Sequence, residues 1–154
     1  MEFGSLEREI HIDASAEVVF EIVSDPAQIV HWWPDEAGYE LVPGGSGDLV
    51  FTMTSGERVT VALQVVEIDA PRRFTFRWSQ PAGEQARIDN SFLVTMELEP
   101  SGTGTTLRLT EVGFREQGWE GAVLEEAFRD HSQGWDYHLA RLAPYVATLR
   151  ASTR

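Results

Sequence analysis

The chain has 154 residues and a mass of 17.3 kDa, the size of one ordinary domain able to bury a core without disulfides or metals. Its 42% hydrophobic and 24% charged content reads as globular, neither disordered nor membrane-spanning. Twelve basic against 25 acidic residues leave a net charge of −13 with His neutral, a balance that repels phosphate backbones and anionic lipid surfaces, so nucleic acid and membrane are not expected partners.

All the basic residues are Arg; the missing Lys removes Schiff-base chemistry and the P-loop lysine. There is no Cys, which excludes disulfides, thiolate nucleophiles and Cys-ligated metal sites. No basic leader precedes an apolar run, and no stretch approaches the roughly 18 apolar residues of a membrane span. A cytoplasmic protein is expected. Residues 1–5 read as a tag scar or a disordered end, 151–154 as a tail, and 6–150 as a single domain.

The elements follow in chain order. Leu6, Arg8, Ile10 and Ile12 share one face of a strand. After a cap at Asp13 or Ser15, Ala16, Val19, Phe20 and Val23 fall at helical spacing. Ser24-Asp25-Pro26 starts a second short helix, expected to reach about Trp33 before Pro34 stops it. Short apolar runs then alternate with turn residues: Tyr39 to Val42, Pro43 to Gly47, Asp48 to Thr54, Ser55 to Glu57. Val59 to Val65, Phe74 to Trp78, Phe92 to Leu98 and Leu107 onward alternate as strands. Six or seven successive strands argue an antiparallel sheet.

From about Glu116 the period becomes helical. Leu124, Phe128, His131, Trp135, His138, Leu142, Val146 and Leu149 trace one stripe at spacings of three and four. Gly134 weakens that helix, and Pro144 predicts a kink or boundary near Leu142. The expected class is α+β: two short N-terminal helices, a curved antiparallel sheet and a long C-terminal helix covering one sheet face.

That order, with its wording, resembles the START-like superfamily of helix-grip folds, also called polyketide-cyclase-like or SRPBCC. Within it the chain is similar to the heat-shock-protein-90 ATPase activator homologue family. The residues that carry the resemblance are Ala16 to Phe20 followed by Asp25-Pro26 and Trp32-Trp33-Pro34; Gly44-Gly45-Ser46-Gly47-Asp48 before Phe51; Pro71-Arg72-Arg73-Phe74 before Phe76-Arg77-Trp78; Gly104 to Leu107; Glu111-Val112-Gly113-Phe114; and above all His131 to Leu142. The resemblance spans about Leu6 to Arg150 and implies a sheet gripping the last helix around an apolar cavity, which in relatives holds lipids, sterols, polyketides or other hydrophobic molecules. It does not imply a reaction. The eukaryotic relative carries a co-chaperone domain for which this length leaves no room, so a chaperone partner is not expected.

Candidate site residues are of two kinds. The aromatic and Met inventory suits a cavity wall: Trp32 and Trp33 near the second helix, Phe51 and Met53, Phe74, Phe76 and Trp78, Phe92 and Met96 on the strands, and Phe128 and Trp135 on the helix. Each of these taken alone also reads as ordinary core packing. The polar candidates are Glu111, in phase with Leu107 and Leu109 and so facing the helix, and His131 and His138 on the helix stripe. A buried carboxylate needs partners, for which Arg73 and Arg77 are candidates. The two His lie about 10 Å apart along the helix axis, too far to share a metal, and no metal or cofactor is expected. Gly44 to Gly47 lacks the spacing of a nucleophile elbow and reads as a hairpin turn.

The leading expectation is a module binding a hydrophobic or aromatic small molecule between sheet and helix, with Glu111, His131 and His138 orienting a polar end. The alternative is a cyclase- or hydrolase-type enzyme in which one of those three moves a proton. A third reading is a chaperone-associated interaction protein. A monomer or a homodimer fits each of them.

Overall fold

A computed structural model describes residues 4–152, with side chains as far as Leu149. The chain runs β1 (Ser5–Ile12), α1 (Ala16–Ser24), α2 (Pro26–Ile29), β2 (Glu36–Tyr39), β3 (Ser46–Thr52), β4 (Arg58–Asp69), β5 (Arg73–Pro81), β6 (Phe92–Ser101), β7 (Gly104–Val112) and α3 (Gly121–Ser152). All strands belong to one curved antiparallel sheet in the order β1-β7-β6-β5-β4-β3-β2. The meander β2 to β7 joins strands of alternating polarity through short connections, apart from the longer loop 82–91 between β5 and β6, and β1 closes onto β7, with Leu6 opposite Glu111.

The inner face of the sheet carries the in-phase residues. Phe76 lies opposite Val94, and Val94 opposite Glu111, so the row Phe76, Val94, Glu111, Leu6 crosses four strands. Three of its members are apolar and all four are buried. Arg8, in phase with Leu6, reaches α3 instead of being buried: its Nε donates to Asp136 Oδ1 at 2.6 Å and its Nη2 to Ser132 Oγ at 2.5 Å. This ties the first strand to the last helix.

The helix α1 begins where the Ser15 hydroxyl accepts from the Val18 N–H, and it buries Val19, Phe20 and Val23 as their spacing requires. The helix α2 is shorter than expected. It stops at Ile29, and the chain continues as a turn through Trp32 and Trp33. That turn is fixed by the Trp32 indole N–H donating to the Ile22 carbonyl at 3.0 Å, which anchors a fully buried ring.

Three more expectations need correction. The strand after Pro34 is Glu36–Tyr39, not Tyr39 to Val42. It is held by backbone pairing to β3, where Gly47 approaches Gly38 so closely that a Cβ would meet the Gly38 carbonyl oxygen at 1.8 Å. The last helix starts at Gly121 and not near Glu116, because a single 3-10 turn at Arg115–Gln117 ends on Gly118 in the left-handed region (φ 83°). No boundary occurs at Leu142: α3 is continuous through Pro144. The ring sits on the exposed side, while Leu142 and Val146 to either side of it are buried. The Ala140 carbonyl that loses its donor therefore belongs to an exposed residue on the solvent side of the helix, where it is not left buried without a partner.

Candidate functional site

A cleft of about 360 Å³ opens between α3 and the β3–β4–β5 part of the sheet. Trp33, Phe51, Trp78 and Trp135 form its aromatic wall; Met53, Val59 and Val61 form an aliphatic side. His131, Gly134 and His138 face it from α3, with Ser79 and the exposed Asp130 at the remaining edges. Trp33, only 5% exposed, is the hub: its ring centroid lies 4.9 Å from Trp78, 5.0 Å from Trp135 and 6.0 Å from Phe51. Edge-on and tilted contacts at these distances are the packings that aromatic pairs prefer.

Local backbone geometry opens the cleft. Between Ala62 opposite Gln80 and Leu63 opposite Trp78, β5 carries one extra residue, Ser79, in the left-handed region at φ 80°. A bulge of this kind bends its strand and re-aims the neighbouring side chain, here Trp78. Gly134 adds space from the helix side, since a Cβ built there meets nothing within 4 Å.

Behind the aromatic wall lies Glu111, with 0% exposure in the middle of the apolar row. Its carboxylate is satisfied by three N–H groups: Trp78 Nε1 donates to Oε2 at 2.8 Å, Trp135 Nε1 to Oε1 at 3.1 Å, and His131 Nδ1 lies 2.8 Å from Oε1. Indole N–H groups can only donate, so both oxygens are acceptors and the imidazole completes the set from Nδ1. Arginine plays no part in it. Arg73 lies on the outer face with Glu67 at 3.6 Å and Glu97 at 3.8 Å, and Arg77 donates to Ser91 Oγ at 3.3 Å. The arginine partners foreseen for Glu111 are thus replaced by two tryptophans and a histidine. The pairing of Glu111 with a histidine of the helix stripe is among the sequence expectations, and His131 is the one that meets it; the two indole donors are not, because the sequence reading treats Trp as wall and not as donor.

His131 has 17% of its side chain exposed and lines the cleft, so the ring spans from the buried carboxylate to the ligand side. His138, about two turns further along α3, lines the cleft too. Its Nδ1 is buried with no hydrogen-bond partner among the described residues. Burial, and next the Arg141 guanidinium, push the His138 pKa down, against smaller opposing contributions from the Trp32 backbone and Asp35. This histidine favours the uncharged ring.

Of the aromatic and Met residues considered for the wall, Trp33, Phe51, Met53, Trp78 and Trp135 border the cleft. The others lie elsewhere: Trp32, Phe74, Phe76, Phe92 and Met96 are fully buried core, and Phe128 packs on Phe114 at 5.1 Å. Val59, Val61, Ser79, Asp130 and Gly134 were not anticipated. The period-2 reading placed Val59 and Val61 on the same face as Leu63 and Val65, which was the signal available for them; a bulge such as that at Ser79 leaves no mark in composition. Among the described residues no group of three or more His, Asp or Glu is placed to hold a metal ion, and no helix is long and apolar enough to cross a membrane.

A single antiparallel sheet wrapped on a long C-terminal helix, with an apolar cleft between them, defines an α+β protein of the helix-grip class. The chain belongs to the family described as activator of Hsp90 ATPase homolog 1-like protein, which matches residues 13–147. No curated protein matches the sequence. Among solved structures it is similar to a protein of Nitrosomonas europaea, with TM-score 0.79 and 16% identity over 98% of this chain and 99% of that one. A protein of Arthrobacter aurescens gives TM-score 0.75 and 21% identity over 92% and 85% of the two chains. DynU16, a protein of the dynemicin biosynthetic locus, gives TM-score 0.70 and 20% identity over 94% of this chain and 48% of that one. At these identities the likeness speaks for the fold.

Proposed function

We propose that the protein binds an uncharged, largely apolar small molecule in the cleft between β3–β5 and α3. The observation that carries this reading is the cleft itself: about 360 Å³ of space walled by Trp33, Phe51, Trp78 and Trp135 and edged by exposed Met53 and Val59. That volume lies within the range of small-molecule sites, and burial there supplies roughly 25 cal/mol per Å² of apolar surface before ordering costs. The similarity to DynU16, a protein of the dynemicin biosynthetic locus, is in keeping with such a ligand. With a net charge of −13, polyanions and anionic lipid surfaces are disfavoured partners. On this reading the protein works in the cytoplasm as a monomer or homodimer and needs no cofactor or chaperone.

Native mass spectrometry of the purified protein, set against its denatured mass, tests the proposal together with titration of the neutral probe N-phenyl-1-naphthylamine. A co-purifying apolar compound, or saturable probe fluorescence that the same compound displaces, is the expected result. An apo mass combined with no probe binding and no thermal stabilisation by apolar compounds would overturn it.

A second reading is favoured by one contact, the 2.8 Å approach of His131 Nδ1 to Glu111 Oε1. A carboxylate holding one imidazole nitrogen leaves the other able to take a proton from a substrate, as in acid–base enzymes. Loss of turnover with unchanged affinity on substituting His131 would select this reading over simple binding.

A further inference from the structure

The polar groups left over at the cleft restrict what kind of molecule fits it, given that the cleft is a ligand site as proposed above. Glu111 is spent on the protein: its two oxygens take three N–H groups and it has no exposed surface. Two of the indole donors bordering the cleft, those of Trp78 and Trp135, are spent on it in turn. His131 meets the carboxylate through Nδ1, and Nε2 has no partner among the described residues. In an imidazole that donates from Nδ1, Nε2 carries the lone pair and accepts. His138 Nδ1 is a second nitrogen without a partner, on a ring whose surroundings favour the uncharged form.

The charges close by are unfavourable to anions. Asp130 stands at the rim and Glu111 lies behind the wall, and no arginine is among the residues that line the space. Arg141, a turn from His138, is turned aside over the Tyr137 ring at 5.7 Å and toward the His31 carbonyl at 3.5 Å. A ligand carboxylate or phosphate would find no counter-charge there, and a purely apolar ligand would bury Nε2 of His131 unsatisfied.

We infer that the cleft is specific for an uncharged aromatic alcohol, whose ring packs against the cleft side of the Trp33, Trp78 and Trp135 cluster and whose hydroxyl donates to Nε2 of His131. The hydroxyl takes the one direction of hydrogen bonding that the Glu111–His131 pair leaves available. The aromatic part is selected by the surface of this tryptophan cluster, whose rings pack on one another with centroids 4.9–6.0 Å apart and together border the cleft.

The test compares 2-naphthol with 2-methoxynaphthalene, in which the donor is methylated away and the ring kept, by calorimetric titration of the intact protein and of a His131→Asn variant. Asparagine offers an amide N–H near the position of Nδ1, so the Glu111 contact can be retained while Nε2 is removed. The wild-type protein is expected to bind 2-naphthol about tenfold more tightly than its ether, as one buried hydrogen bond provides. In His131→Asn the preference is expected to vanish while the ether binds as before. Equal binding of the two compounds to the wild-type protein, or a preference that survives in His131→Asn, overturns the inference and leaves the cleft as an apolar site. Failure of both compounds to bind the wild-type protein overturns this inference, while the proposed binding function is decided separately by native mass spectrometry and N-phenyl-1-naphthylamine titration. Should the variant not fold, the wild-type comparison alone decides.

Discussion

Trp78 on β5 and Trp135 on α3 meet with ring centroids 6.0 Å apart at 67°, and their indole N–H groups take the two different oxygens of one buried carboxylate, Glu111. The contact is apolar on the cleft side and polar on the core side. The carboxylate on β7 thereby pins a side chain of the sheet and a side chain of the helix to a single point, and the cleft wall inherits its geometry from that point.

Replacing Glu111 tests how much rests on it. Glu111→Leu leaves three N–H groups in the core without acceptors and is expected to cost about 3–5 kcal/mol, as losing one side of a buried charged contact does. Glu111→Gln keeps one acceptor oxygen but turns an amide NH2 toward donors, for a loss of about 1–3 kcal/mol. Urea unfolding followed by circular dichroism measures both.

The two tryptophans are expected to act as a coupled pair. Trp78→Phe and Trp135→Phe each remove one hydrogen bond to a carboxylate, worth about 1.5–3 kcal/mol. Because both rest on Glu111, the double variant should depart from the sum of the single losses by about 0.5 kcal/mol or more. Strict additivity in a double-mutant cycle would contradict the shared anchor.

Acid sensitivity should trace in part to His138. Its pKa in the folded protein is pushed below the ordinary value of 6.5, so the unfolded chain binds its proton more readily. The stability gained by keeping this ring neutral is fully present above about pH 6.5 and is lost as the pH falls through the lower, folded value. A His138→Leu variant is expected to lose less stability than the wild-type protein between about pH 7 and pH 5. Parallel stability curves for the two proteins over that interval would refute the assignment.

A pair of glycine substitutions separates close approach from composition. At Gly47 an added Cβ meets the Gly38 carbonyl oxygen at 1.8 Å, so Gly47→Ala must push β3 away from β2, at about 1–3 kcal/mol or more. At Gly38 an added Cβ meets nothing within 4 Å, and Gly38→Ala should change stability by less than about 0.5 kcal/mol. Thermal melts of the two variants rank them directly.

Gly134 offers the reverse outcome, a gain. It lies inside α3, and a Cβ there meets nothing within 4 Å. Gly134→Ala is expected to raise stability by about 1 kcal/mol through helix propensity alone. Gly134→Met should extend into the cleft and lower the affinity for N-phenyl-1-naphthylamine while the protein stays at least as stable. Unchanged probe affinity would place the bound probe elsewhere.

Much of this was legible before the structure. The spacing of Ala16, Val19, Phe20 and Val23 shows α1, and the stripe from Leu124 to Leu149 shows the buried side of α3, because burial imposes the helical period on the sequence. Strand faces such as Phe74-Phe76 and Leu107-Leu109-Glu111 were equally plain, and they placed Glu111 on the helix side. What stayed hidden depends on partners remote in the chain. β2 (Glu36–Tyr39) carries little apolar pattern, since backbone pairing with β3 and the small size of Gly38 and Gly47 hold it in place. The donors to Glu111 lie 33, 24 and 20 residues away, and only folding shows which indole reaches which oxygen. Pro144 misled for a similar reason: whether a proline breaks a helix depends on which side of it faces water.

The pairing of β1 with β7 bears on how the protein is made. The ribosome delivers Leu6 about a hundred residues ahead of Glu111, which at cellular elongation rates is a wait of about 5–20 s. Until then the first strand has no neighbour to join, and β7 must emerge before the sheet can be completed. Closing a loop of that length adds an entropic barrier that local hairpins do not face. The first strand therefore spends those seconds unpaired, whereas the β6 edge waits only for the about ten residues of β7 that follow it, and co-translational holding factors would find their window at β1.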